Sequence, residues 1–133
     1  MVGVLIATHG RLAEEFLNSA AMLVGEGEQI DSVCVLPGQS PDEFRAKTEE
    51  KLSQLDSGEG VVVLVDITGG TPNNTAFRLK MEKNLNLRIV TGVNLPMVMF
   101  CVLDRYDGMT MEELVDALQE NGKQQITEFG NRK

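Results

Sequence analysis

The chain has 133 residues, of which 42% are hydrophobic, and its formal net charge at pH 7 is −8. This size and composition predict one domain, residues 1–133, with its own core. The acidic balance argues against nucleic acid and anionic membranes as partners, because both repel a negative protein. The two cysteines, Cys34 and Cys101, lie in apolar runs without metal-ligand spacing. This usage is typical of reduced thiols in a cytoplasmic protein and predicts neither a disulfide nor a metal site.

The first half of the chain predicts two strands, each followed by a helix. Residues 2–8 are an apolar run, and a helical repeat of apolar residues follows until Gly25. Residues 30–36 are less apolar and predict a strand near the edge of a sheet. Residues 40–43, Ser-Pro-Asp-Glu, form a capping box with proline at the first helical position. The inward face of the helix that follows is predicted to carry Phe44, Thr48, Leu52 and Leu55.

The second half repeats the alternation. Residues 61–65 are the most apolar strand and predict a central position, and Asp66 ends that strand. A tight Gly69-Gly70 turn follows, and Thr71 is predicted to cap a third helix with Pro72 at its first position.

The remaining segments are shorter. Residues 87–90 predict a fourth strand, and an apolar helix is expected over residues 97–103. A capping box at residues 110–113 opens a last helix, which is predicted to bury Leu114, Val115 and Leu118 and to stop at Gly122. Residues 124–129 fit either a short strand or a frayed tail.

Alternating strands and helices predict an α/β fold, an open and mainly parallel sheet with helices on both faces. With right-handed crossovers, the natural order of the four strands is 2-1-3-4. In that order the chain leaves the first and third strands in opposite directions, and ligands bind in the crevice between them. His9 and Asp66 end these two strands, so we expect them to lie side by side at that crevice.

His9 is the single histidine of the chain, and its position predicts a role as nucleophile and phosphoryl acceptor. A carboxylate from Asp66 would orient the ring and leave its other nitrogen free. Two helix N-termini, after Gly10 and at Thr71, would aim N–H groups at a phosphate. The other candidate phosphate-binding residues are Arg11, Thr68, Gly69 and Gly70.

Four motifs resemble the IIA domain of the mannose-type (mannose/fructose/sorbose) sugar phosphotransferase system. They are residues 6–10 (IATHG), residues 22–26 (MLVGE), residues 64–73 with Asp66 and the glycine pair, and residues 91–97 (TGVNLPM). Each motif alone is weakly specific, but together they span nearly the whole chain.

The resemblance implies that His9 accepts phosphate from the phosphocarrier protein HPr and passes it to a histidine of the IIB component. The membrane subunits IIC and IID would then be indirect partners, and neither a cofactor nor a metal is implied. Family members are dimers with an exchanged C-terminal strand, which would fall on residues 124–129 here. Some members carry an aromatic residue where this chain has Thr68, and the lack of a linker to a IIB domain resembles a free-standing IIA subunit.

Other functions stay open at this point. A related phosphotransferase subunit serves dihydroxyacetone kinase. In a different class, Asp66 could be the phosphorylated aspartate of a receiver domain, although such domains hold Mg²⁺ with further acidic residues after the first strand. Here that place is held by residues 8–11, Thr-His-Gly-Arg. A third alternative is a flavin-binding module, but the chain has few of the aromatic residues that usually contact a flavin ring. The fourth is a regulatory fragment that docks on a partner without transferring phosphate.

Overall fold

The computed structural model describes residues 1–131 and contains one four-stranded parallel sheet in the order β2-β1-β3-β4. The strands are β1 (Gly3–His9), β2 (Ile30–Val35), β3 (Val61–Val65) and β4 (Leu87–Thr91). The helices of the described residues are α1 (Leu12–Val24), α2 (Pro41–Leu55), α3 (Thr71–Lys83), α4 (Leu95–Leu103) and α5 (Met111–Gln124). The predicted fold class, strand order, edge position of β2 and central position of β3 are confirmed.

Helices cover both faces of the sheet. Successive side chains along each strand point to opposite sides, so both faces present apolar residues that the helices bury. On one face, strand residues such as Ile6 and Leu64 pack with α1, α4 and α5. On the other face, residues such as Leu5 and Val63 pack with α2 and α3. All five residues of β3 are fully buried, which explains why its sequence is continuously apolar rather than alternating.

The helix caps show how local sequence sets the helix starts. Thr110 and Glu113 form both bonds of the predicted capping box at α5. Ser40 accepts the backbone N–H of Glu43 at 3.1 Å, which is one of the two capping-box bonds. Helix α4 begins two residues before the predicted start, because Asn94 accepts the N–H of Met97 and caps the helix there. The predicted inward face of α2 is buried as expected.

Two predicted helix ends are wrong. Gly70, not Thr71, is the N-cap of α3, so Thr71 is the first helical residue and Pro72 the second. Helix α5 runs past Gly122 to Gln124. The reason is packing, since a Cβ atom on Gly122 would lie 2.8 Å from the Met97 sulfur. This glycine is therefore a place of close helix contact rather than a stop signal.

The described residues that follow α5, 125–131, form turns and irregular chain. Within the described residues, positions 126–128 belong to no helix or strand, and the side chains of Ile126 and Phe129 are exposed. The exchange of this segment between two subunits therefore stays a prediction.

Both cysteines are free thiols, with Cys101 buried and Cys34 half-buried. Within residues 1–131, no helix combines the length and the apolar character needed to cross a membrane.

Candidate active site

His9 and Asp66 meet where the carboxyl ends of the adjacent strands β1 and β3 lie together. The Asp66 Oδ2 atom is 2.9 Å from His9 Nδ1 and also accepts the His9 backbone N–H at 2.9 Å. The other carboxylate oxygen, Oδ1, accepts the N–H of Ile67 at 3.0 Å. The predicted side-by-side placement is therefore present, and one carboxylate holds both the backbone and the ring of the histidine.

The environment of Asp66 decides which ring nitrogen is free. Partial burial acts to raise the pKa of Asp66, but the hydrogen bonds from His9 and Ile67 outweigh burial and hold this pKa below its ordinary value. The carboxylate is thus ionised near neutral pH and can only accept hydrogen bonds. A neutral His9 ring must then carry its proton on Nδ1, which leaves the lone pair of Nε2 free. The His9 side chain is 44% exposed, so a partner can reach that nitrogen.

Gly70 lies against the His9 ring. A Cβ atom at this position would be 2.6 Å from Cε1 and 3.2 Å from Nε2 of His9. Its backbone has φ −81° and ψ 176°, a conformation open to any residue, so the absence of a side chain serves the ring rather than the turn. Because Gly70 is the N-cap of α3, the free Nε2 lies beside the positive end of that helix.

The start of α1 is held by a residue that the sequence analysis missed. The buried Thr8 hydroxyl accepts the N–H of Ala13 at 2.7 Å, and this bond fixes the first turn of α1 beside His9. Gly10 has φ +60° and donates its N–H to the Val35 carbonyl at 2.8 Å. Its N–H is therefore engaged, and its role is to reverse the chain in a conformation that favours glycine. A threonine at the end of a buried strand, just before a helix, was the available signal for Thr8.

The other candidate residues lie around the His9–Asp66 pair in different settings. The exposed Arg11 guanidinium is 3.4 Å from the Glu14 carboxylate on the same helix. Gly69 has φ +81°, and its carbonyl accepts the Asn74 side-chain amide at 2.9 Å, which closes the turn. Thr71 is exposed at the first position of α3.

Thr68 has a partner that the sequence did not indicate. Its hydroxyl donates to the Thr91 hydroxyl at 2.9 Å, so the loop after β3 is connected to the end of β4. Across residues 1–131, no three His, Cys, Asp or Glu side chains gather as a metal ion would require.

The arrangement is a histidine with one nitrogen oriented by a carboxylate and the other exposed at a helix N-terminus. Residues 3–119 match the family model described as "PTS system fructose IIA component". The chain belongs to this family of phosphotransferase-system IIA components. The predicted resemblance is confirmed, and neither the dihydroxyacetone kinase alternative nor the receiver alternative gains support.

Relatives and solved structures agree with this assignment. The chain is 34% identical over 125 residues to the mannose-specific EIIAB component of Escherichia coli, covering 94% of this chain and 38% of that protein. It is 31% identical over 119 residues to the sorbose-specific EIIA component of Klebsiella pneumoniae, covering 90% and 85%. A crystal structure of EIIA from Streptococcus agalactiae superposes with a TM-score of 0.86 at 26% identity, covering 97% and 98%. The chain thus spans well under half of the mannose-specific relative and most of the sorbose-specific one.

Proposed function

We propose that this protein is the phosphocarrier subunit of a sugar phosphotransferase system, with His9 as the residue that carries the phosphoryl group. In this function His9 accepts the group from phospho-HPr and passes it to a histidine of the IIB component. The observation that carries the proposal is the 2.9 Å contact between His9 Nδ1 and Asp66 Oδ2, because it leaves an exposed Nε2 as nucleophile.

The transfer exchanges one nitrogen–phosphorus bond for another. The Nε2 lone pair of His9 attacks phosphorus while the bond to the donor histidine breaks, and the donor ring leaves with the electron pair of that bond. The Nδ1 proton of His9 stays in its hydrogen bond with Asp66, whose charge stabilises the ring as it becomes positive. Since both bonds are phosphoramidates, the step is nearly balanced in energy and needs mainly alignment of the groups.

Features around Nε2 support an anionic group at this position. Gly70 places Nε2 beside the N-terminus of α3, where the helix dipole favours the phosphoryl oxygens. Thr71, as the first residue of that helix, is a candidate hydroxyl donor for these oxygens. Gly10 and Gly69 contribute by shaping the two loops, and Arg11 is an exposed candidate whose guanidinium also contacts Glu14.

The surroundings of His9 also fit contact with a second protein. Leu12 is 44% exposed and lies three positions after His9 in the chain. Ile67 is 56% exposed and directly follows Asp66. Such apolar side chains would be covered when HPr or IIB brings its own histidine against His9. We place the protein in the cytoplasm, where it would act upstream of the membrane subunits IIC and IID.

The proposal is tested by labelling the protein from phosphoenolpyruvate with the general phosphotransferase proteins. The wild type is expected to take up label that is lost in acid and survives alkali, and His9→Ala is expected to take up none. Asp66→Ala should fold but react about 10²–10⁴-fold more slowly, the range for loss of a group that orients a catalytic histidine. Ser53→Ala, an exposed hydroxyl removed on α2, is the matched control and should behave as the wild type.

Two outcomes would overturn this function. Label that persists in His9→Ala, or that is cleaved by alkali and lost in Asp66→Ala, would move the phosphoryl group to an aspartate. Transfer from labelled protein to a dihydroxyacetone kinase subunit, but not to a IIB component, would assign the chain to the other branch of the phosphotransferases.

We also propose that the subunit acts as a homodimer in which the C-terminal strand, predicted over residues 124–129 and free of α5 from residue 126 onward, pairs with β4 of a second subunit. The edge position of β4 supports this pairing, since an open edge strand exposes unpaired backbone groups. The exposure of Ile126 (81%) and Phe129 (102%) supports it as well. A chain that ends at Gln125 keeps α5 complete and should be largely monomeric by light scattering. The same oligomeric state for the truncated and full chains would contradict the exchange of this strand between subunits.

A further inference from the structure

The loop that carries Asp66 is connected to the neighbouring strand β4 at two points. Val65, the last residue of β3, pairs in register with Thr91, and its carbonyl accepts the N–H of Val93 at 3.0 Å. Three residues further along the loop, the Thr68 hydroxyl donates to the Thr91 hydroxyl at 2.9 Å. The segment from Val65 to Thr68 is therefore fixed at both ends by the end of β4.

These two connections matter because the loop itself is open to solvent. Ile67, Thr68 and Gly69 are all exposed. On the side of β1, the loop is held through the hydrogen bonds between Asp66 and His9, which are the contacts that must be accurately placed for transfer. On the side of β4, the Thr68–Thr91 bond is the side-chain contact that holds the loop. A loop held from both sides keeps the Asp66 carboxylate and Gly70 in place at the ring.

We infer that Thr91 is a positioning residue for phosphoryl transfer, which acts through the hydroxyl of Thr68 to hold the Asp66 loop against His9. Thr91 lies outside contact with the reacting atoms, so its effect is on the geometry of the histidine–carboxylate pair. The inference rests on the proposed function of His9 for its kinetic consequence, but the geometric consequence can be measured on the unphosphorylated protein.

The test removes the hydroxyl without changing the shape of the side chain. In Thr91→Val and in Thr68→Val, the rate of phosphorylation at saturating phospho-HPr should fall about tenfold. A misplacement of reacting groups by about 1 Å can slow a reaction ~10²-fold, and we expect the Asp66 carboxylate to shift by less than that. The KM for phospho-HPr should stay the same in Thr91→Val, since the apolar side chains proposed for docking, Leu12 and Ile67, are untouched. The double variant should be no slower than either single variant, because both substitutions remove one and the same bond. Thr91→Ser keeps the hydroxyl and should recover most of the rate.

A second readout separates positioning from a general loss of stability. His9 is the single histidine of the chain, so the ring resonances in a ¹⁵N spectrum of the wild type report this site alone. The Nδ1 proton should be protected from exchange in the wild type, in Thr91→Ser and in the control Ser53→Ala. It should exchange faster in Thr91→Val and Thr68→Val. Thr68 lies in the exposed loop outside the sheet, so Thr68→Val tests the inference even where Thr91→Val folds poorly.

The inference is overturned if both valine variants keep the wild-type rate and a protected Nδ1 proton. It is also overturned if Thr91→Ser is as slow as Thr91→Val, because then the hydroxyl is not the group that acts. If the wild type itself were not phosphorylated by HPr, the proposed function would fail, while the proton-exchange comparison would still decide the role of Thr91.

Discussion

The substitution Gly70→Ala is the sharpest single test of the site geometry. The new Cβ atom would lie 2.6 Å from Cε1 of His9, whereas non-bonded carbon atoms are normally ~3.5–4.0 Å apart. The ring must therefore move by roughly 1 Å, and Nε2 must move with it. Since a misplacement of about 1 Å can slow a positioned reaction ~10²-fold, we expect phosphorylation by phospho-HPr to slow by about that factor.

The same substitution should leave the fold intact. The backbone of Gly70 has a negative φ, and alanine at a compatible position stabilises a protein by ~0.4–1 kcal/mol through the unfolded chain. The matched control is Gly25→Ala at the end of α1, where φ is +81° and no atom would meet the added Cβ within 4 Å. This control should lose about 1–3 kcal/mol of stability, because its φ of +81° and ψ of −173° lie in a region that is essentially restricted to glycine, and it should transfer phosphate normally.

The two variants should therefore behave in opposite ways. Gly70→Ala should be slow in single-turnover phosphorylation and stable in urea unfolding, whereas Gly25→Ala should be phosphorylated normally and be less stable. A Gly70→Ala protein that is phosphorylated at the wild-type rate would refute the reasoning, because the ring would then not depend on the space left by this glycine. A Gly70→Ala protein as destabilised as Gly25→Ala would show instead that the residue serves the turn.

Three further outcomes can be checked on the same material. Hydrogen bonds hold the pKa of Asp66 below 3.8 in the folded protein, so ionised Asp66 adds stability above that pH. The free energy of unfolding should therefore exceed that of Asp66→Asn by its full amount near pH ~5, and this difference should fall as the pH drops below 3.8. A difference that does not change with pH would contradict the hydrogen bonds described for Asp66. Thr110→Ala removes the capping bond in which the Thr110 hydroxyl accepts the N–H of Glu113, and it should cost about 1 kcal/mol in urea unfolding, against no change for Ser53→Ala. Phosphorylation by phospho-HPr should slow as the salt concentration rises, because the net charge of −8 favours electrostatic steering and salt lowers the association rate. A rate that stays the same over several-fold changes of ionic strength would contradict electrostatic steering.

The sequence was sufficient for the fold because its signals agree at several levels. The buried strand at residues 61–65 is apolar at every position and is ended by a charged residue, so both its bounds and its central place could be read. The strand order then followed from chain connectivity. That order alone brings His9 and Asp66 to the same crevice, although 57 residues separate them in the chain.

Where the sequence misled, a glycine or threonine served a purpose that depends on a distant residue. Gly122 has the local pattern of a helix stop, yet it is a contact point for Met97 within a continuing helix. Thr71 has the local pattern of a cap, yet the cap is Gly70, where a side chain would collide with the ring of His9. Periodicity and capping rules describe neighbours in the chain, so they do not register demands that arise across the sheet.

The same reasoning explains why the supports of the site were harder to find than its centre. His9 and Asp66 carry distinctive chemistry at strand ends, and a chain with one histidine leaves few choices for a nucleophile. Thr8 and Thr91 carry ordinary hydroxyls, and each acts by accepting one hydrogen bond, from Ala13 and from Thr68. These two bonds secure the helix after His9 and the loop after Asp66, one on each side of the reacting ring. The precision of the pair is thus held by residues whose role becomes visible only when the sheet brings them together.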